Sequence, residues 1–193
     1  SFTVRMGRNT PLEGYTLVLT TLSSARVAPF SFNLHFPSRG VSRYPSRGIA
    51  PPVFNRSKWK SFTSALGRNL VSLNIHNIST TELAVIPPGV FPFLESLVCS
   101  GLGCTSVDPV IAFQSATRLR KVALRPYSAK IVLPRQGITH LAMWNCGPAG
   151  LADNNLSSIQ MLHISTGLMS LPSYNPSNPT PNLKYLTIDN NNT

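Results

Sequence analysis

The side chains able to do chemistry gather late in the chain, around His140, Trp144 and His163. A pair of histidines can start a metal site, but zinc takes three or four ligands. No Cys or carboxylate is spaced to complete the set, so free imidazoles are expected and no metal. The three cysteines, Cys99, Cys104 and Cys146, do not form a disulfide framework. Cys99 and Cys146 fall at inward positions of an apolar pattern and read as buried, inert thiols; Cys104 is left open to exposure. No G-x-S-x-G elbow, P-loop lysine motif or H-E-x-x-H is present. Gly101-Leu-Gly103 reads as a turn, because no long amphipathic helix follows to present its N-terminus to phosphate. The acids Glu13, Glu82, Glu95, Asp108, Asp153 and Asp189 lie one to a segment, which disfavours a carboxylate pair. No catalytic residue and no cofactor are expected, and the chain does not read as an enzyme.

Charge is the second chemical feature. Seventeen Lys and Arg against six Asp and Glu give a net charge of +11 over 193 residues. Residues 1–60 hold nine bases and one acid, and residues 118–135 hold Arg118, Arg120, Lys121, Arg125, Lys130 and Arg135 with no acid. Such asymmetry suits an acidic protein surface or nucleic acid, and equally a solvated positive face. No run of about 18 apolar residues is present, so no membrane-spanning helix is expected. Hydrophobic residues are 42% of the chain, enough for a packed core. Cysteine usage fits a reducing compartment, cytoplasm or nucleus. The chain begins with Ser and shows no signal peptide, which suggests processing or a piece of something longer.

The elements that position these residues come from a repeat. An apolar residue, two variable residues, an apolar one, one variable and an apolar one recur six times, starting at Leu70, Leu94, Leu119, Ile138, Ile159 and Leu183. The starts are 24, 25, 19, 21 and 24 residues apart, the period and core of a leucine-rich repeat. The expected fold is α/β, a leucine-rich-repeat solenoid with a curved parallel sheet and short irregular or helical returns. Strands are expected near 70–76, 94–100, 119–125, 138–144, 159–165 and 183–189, with residues 67–193 as the repeat region. The prolines fall between these strands, where a missing donor does no harm. Residues 109–117 are the best candidate for a helical return. After Leu183 only about ten residues remain, so an apolar end is expected to meet a partner, a second copy or further chain.

Residues 1–66 are less regular. Leu12, Tyr15, Leu19 and Leu22 follow helical spacing, although residues 15–20 could also extend. Phe32 and Leu34 alternate like an extra strand, and residues 58–66 look like a short helix bearing Trp59 and Phe62. Residues 37–52 contain Pro37-Ser-Arg-Gly40 and Pro45-Ser-Arg-Gly48 and read as a long loop. Its Arg39, Arg43 and Arg47 could meet an acidic partner or simply keep the loop solvated.

Three phrases in a fixed order carry a family resemblance: Phe91-Pro-Phe-Leu-Glu-Ser-Leu97, residues 113–124 from Phe113 to Leu124, and Leu133-Pro-Arg-Gln-Gly-Ile-Thr-His-Leu141. They resemble the leucine-rich part of mushroom-type (basidiomycete) fungal F-box proteins. Residues 29–34 and 56–62 resemble the upstream portion, and Arg135 stands where the family often has Trp. The resemblance implies an intracellular substrate receptor of an SCF-type ubiquitin ligase, whose F-box binds a Skp-type adaptor while the repeats hold the target. No F-box segment is recognisable in this sequence, so an adaptor would bind only through an F-box outside this chain.

Alternation along the strands turns one set of residues outward, onto a concave face. Among these, Lys121, Arg125, His140, Trp144, Met161, His163 and Tyr185 are the expected partner-binding residues. Trp, Tyr and Arg are the types that dominate interface hot spots. Trp144 either anchors a partner, packs against the return at Pro148 or covers a neighbouring repeat. The expected function is protein binding, with an acidic target favoured by charge. The alternative is nucleic-acid binding through Arg39, Arg43, Arg47 and the 118–135 cluster, although aromatics are not interleaved with those arginines.

Overall fold

A computed structural model describes residues 2–5, 30–35, 60, 63, 64, 67, 69–78, 80–101, 109–125, 131–144, 156–166 and 182–190. Their architecture is a parallel β-solenoid built on a single sheet, with almost no helix among the described residues. Eight strands lie side by side in chain order: β1 (Phe2–Arg5), β2 (Phe30–His35), β3 (Leu70–His76), β4 (Ser96–Ser100), β5 (Lys121–Arg125), β6 (His140–Trp144), β7 (Met161–Thr166) and β8 (Tyr185–Asn190). Every neighbouring pair is parallel. The expected extra strand at Phe32–Leu34 is thus β2. The sheet continues through it to β1, which the sequence did not announce, so regular structure begins well before residue 67.

Strands β4 to β8 start two residues later than the apolar pattern does. The reason is a repeated backbone device. The residue after each leading apolar position turns its carbonyl to the following repeat, where it commonly accepts two N–H groups. The Glu95 carbonyl takes those of Arg120 and Lys121 (2.9 and 3.0 Å), and the Arg120 carbonyl those of Thr139 and His140 (2.9 and 3.0 Å). The Thr139 carbonyl takes Gln160 and Met161, and the Gln160 carbonyl takes Lys184 and Tyr185, all at 2.8–3.0 Å. Leu94, Leu119, Ile138 and Ile159 are therefore core anchors ahead of the strands, with exposures of 0, 0, 7 and 2%.

Inward residues of the strands alternate as expected: Leu97 and Cys99, Val122 and Leu124, Leu141 and Met143, Leu162 and Ile164 are all buried. They meet Leu83, Ile86, Phe91, Val110, Phe113, Ile131 and Leu133 from the returns in one core. Phe91 and Phe113, which open two of the phrases noted above, stack at 5.6 Å between ring centroids and 16° between planes.

The returns are tighter than expected. Residues 109–117 form turns and not a helix. The bonds from Gln114 N–H to the Ile111 carbonyl (3.1 Å) and from Ala116 N–H to the Phe113 carbonyl (3.0 Å) close three-residue steps. A parallel bridge between Val110 and Ile131 holds the backbone extended at Val110, just ahead of these turns. The short helix occurs instead at Thr80–Ala84 (α1), where Leu83 is fully buried. Lys60, Thr63 and Ser64 are helical in the 58–66 region, as is Gly67 just after it, while Trp59 and Phe62 lie outside the described residues, as do residues 6–29 and 36–59.

Two strand ends show why particular residues stand there. Asn77 after β3 and Gly101 after β4 both have positive φ (59° and 67°). Each sends its N–H to the next strand, to the Ser100 and Arg125 carbonyls at 2.7 Å. Asn tolerates this conformation and Gly adopts it freely. Gly101 also lies directly against Asn77, leaving no room for a side chain.

Leu97, fully buried in the middle of the stack, reports on the whole solenoid. Leu97→Ala is expected to lower unfolding stability by about 2–5 kcal/mol. Urea denaturation followed by circular dichroism checks this; a loss below about 1 kcal/mol would contradict a core at this position.

Candidate functional site

Pairing in register lines up equal repeat positions into three rows on the outer face of the sheet. The first row runs Ser72, Ser96, Lys121, His140, Met161, Tyr185. The second runs Asn74, Val98, Ala123, Ala142, His163, Thr187, and the third His76, Ser100, Arg125, Trp144, Ser165, Asp189. The middle row is small at its centre. Val98, Ala123 and Ala142 make the floor of a depression of about 280 Å³, walled by Lys121, His140, Met161 and Tyr185 and closed by His163 and Thr187. Its lining is mainly apolar. Tyr185 and Met161 are exposed by 63 and 42%, large values for an aromatic and a methionine.

Five of the seven expected partner-binding residues line this depression: Lys121, His140, Met161, His163 and Tyr185. Arg125 and Trp144 stand apart from it in the third row and are engaged with one another. The Arg125 guanidinium carbon lies 5.8 Å from the centre of the Trp144 ring, within cation–π range. The His163 ring lies 5.0 Å from that indole, tilted 43°. His163 Nε2 in turn faces Asp189 Oδ2 at 3.5 Å, too long for a good hydrogen bond. Trp144 thus packs on the sheet face, against Arg125 and His163; Pro148 lies outside the described residues. Arg39, Arg43, Arg47, Cys104 and Cys146 also lie outside them.

The floor residues were not singled out by the sequence. The signal was present: outward positions are small at Ala123 and Ala142 while their neighbours two residues away are large. His140 and His163 do lie on adjacent strands facing the same way. Register sets them on different rows, however, since His140 pairs with Met161 and His163 with Ala142. His140 Nδ1 is taken up by Thr139 Oγ1 at 2.8 Å. Among the described residues no group of three His, Cys, Asp or Glu could hold a metal.

The basic run at 118–135 is divided by the fold. Lys121 and Arg125 reach the outer face. Arg118 lies over the Phe93 ring at 4.9 Å. Arg120 Nη1 approaches the carbonyls of Thr117, Leu119 and Gly137 at 3.1–3.3 Å, tying two returns together. Gly137, at φ 95°, leaves space for that guanidinium. Arg135 is exposed on a return, and Lys130 lies outside the described residues.

Comparison with protein-family models, curated proteins and solved structures finds no match.

Two outcomes test these assignments. Arg120→Ala is expected to destabilise by about 1 kcal/mol, since it strips carbonyls of a charged donor at a partly wet site. Lys121→Ala next to it should stay within about 0.5 kcal/mol of wild type. Parallel urea titrations compare them, and equal effects would contradict the division of roles. Burial pushes the Cys99 thiol from 9.0 up to about 12. The folded state therefore keeps a proton that the unfolded state releases, so this contribution is whole below pH 9 and is lost as pH rises from 9 towards 12. Cys99→Ala should lack this part of the alkaline decline in stability; an identical decline would contradict the buried, protonated thiol.

Proposed function

We propose that this chain is a target-binding module: a leucine-rich-repeat solenoid that holds a protein partner on the outer, concave side of its sheet. The observation that carries the reading is the depression over Val98, Ala123 and Ala142, apolar at its floor and with Lys121 at its rim. It sits on strands whose opposite face is packed core, so the surface is rigid and costs little ordering on binding. One strand per repeat, a period of 19–25 residues and the L-x-x-L-x-L core support the leucine-rich-repeat assignment.

The resemblance of residues 91–97, 113–124 and 133–141 to fungal F-box proteins supports a finer reading, the substrate-recognition part of an SCF-type ubiquitin ligase receptor in cytoplasm or nucleus. Within that reading the module is not catalytic, and a Skp-type adaptor would be held by an F-box outside this chain. Nucleic-acid binding draws less support, because the basic run is split between the outer face and the returns.

The test is affinity capture from basidiomycete extract with quantitative mass spectrometry. Partners held by wild type are expected to fall about tenfold or more with a Met161→Ser, Tyr185→Ala double variant, the effect of losing a hot spot. Arg135→Ala, on a return, should capture as wild type does. Equal capture by the folded double variant would remove the outer face as the binding surface.

A further inference from the structure

The depression also specifies the chemistry of what it takes. At about 280 Å³ and open to solvent, it falls below the usual size of an enclosed small-molecule site, about 300–1,000 Å³. It has room for one or two side chains of a larger partner. Its floor crosses β4, β5 and β6, a distance of about 10 Å at ordinary strand spacing. An extended segment covers that with about three residues.

Charge then narrows the partner. On the strand residues of β3 to β8 the only carboxylate is Asp189, which faces His163 at the far side of the third row, and exposed Glu95 stands just ahead of β4. Lys121 and Arg125 are both exposed and flank Ala123 from either end of β5. Four residues of strand set their backbones about 13 Å apart, one on each side of the floor. The depression thus offers an apolar seat with one cation, Lys121, and His140 on its wall, while Arg125 lies outside it against Trp144.

Resting on the binding role proposed above, we propose that the depression receives a short extended acidic segment of a partner protein. One aromatic or large aliphatic side chain seats over Ala123 and Ala142, beside His140 and Met161. A carboxylate close to it in sequence meets Lys121. A phosphate backbone is the poorer fit. Two Lys or Arg on strands β3 to β8 are few beside the roughly six to ten phosphate contacts of a salt-sensitive nucleic-acid binder. The Trp144 ring, which could stack a base, is already packed against Arg125 and His163.

The experiment is selection of a random peptide library displayed on phage against the whole chain, with parallel selection on Ala142→Trp, which fills the floor, and on Lys121→Glu, which reverses the rim. Circular dichroism and urea melts confirm that each variant is folded; Lys121→Glu, at an exposed position, serves should Ala142→Trp fail to fold. Peptides retained by wild type alone are expected to carry one large apolar residue within a few positions of Asp or Glu. Synthetic copies should bind at least tenfold more weakly to Lys121→Glu, and more weakly when their acids are replaced by amides. Peptides lost on Ala142→Trp but lacking acids, or indifferent to Lys121→Glu, would overturn the acidic partner while leaving the outer face as a binding surface. Retained peptides that no variant weakens, or no retained peptide at all, would overturn both. A single-stranded oligonucleotide serves as second probe. Tighter binding than the selected peptides, abolished by Lys121→Glu, would overturn the acidic segment in favour of nucleic acid.

Discussion

The structure depends on a carbonyl shared between repeats. A single repeat exposes an apolar row that it cannot cover, and only a neighbour in correct register can do so. The carbonyls of Glu95, Arg120, Thr139 and Gln160 impose that register, each accepting two N–H groups from the following repeat just ahead of its strand. Because the same position does this every time, equal positions of all repeats stand side by side. The core rows and the outer rows are two consequences of one backbone constraint.

The constraint also sorts neighbouring side chains into different duties. Arg120 and Lys121 are adjacent in sequence and alike in charge. Arg120 precedes β5, where its guanidinium reaches the carbonyls of two returns. Lys121 opens the strand and points to the outer face, at the rim of the depression. A one-residue slip would move Arg120 to the outer face and Lys121 into the core place of Val122, burying a charge and stripping the returns of their donor. The same logic makes Cys99 an inward, desolvated thiol and leaves Ser100 outward, bonded to His76.

The value of a neighbour can be read at equivalent positions. Leu141 and Leu162, each followed by another described strand, are exposed by 3 and 7%, whereas Leu186 on β8 is exposed by 53%. Ile164 and Ile188 show the same contrast, 5 against 47%. At about 25 cal/mol for each Å² of apolar surface, most of the benefit of such a residue comes from the repeat that covers it. Stability here is a sum over interfaces between repeats.

The sequence by itself determined the parallel stack, the inward residues and the outward rows, because a period of two within strands and a recurring apolar pattern between them leave one way to bury the apolar positions. It also marked Phe32 to Leu34 as a strand. It could not place β1, whose four residues show no repeat of their own. It overestimated helix at 109–117, where Val110 bridges to Ile131 and the residues after it close into turns. Nor could it separate Trp144 from Tyr185, two outward aromatics of equal promise. Tertiary structure decided that: the indole has Arg125 and His163 beside it, while Tyr185 walls an open seat. Alternation assigns a side chain to a face; only the register of several strands at once decides what stands next to it there.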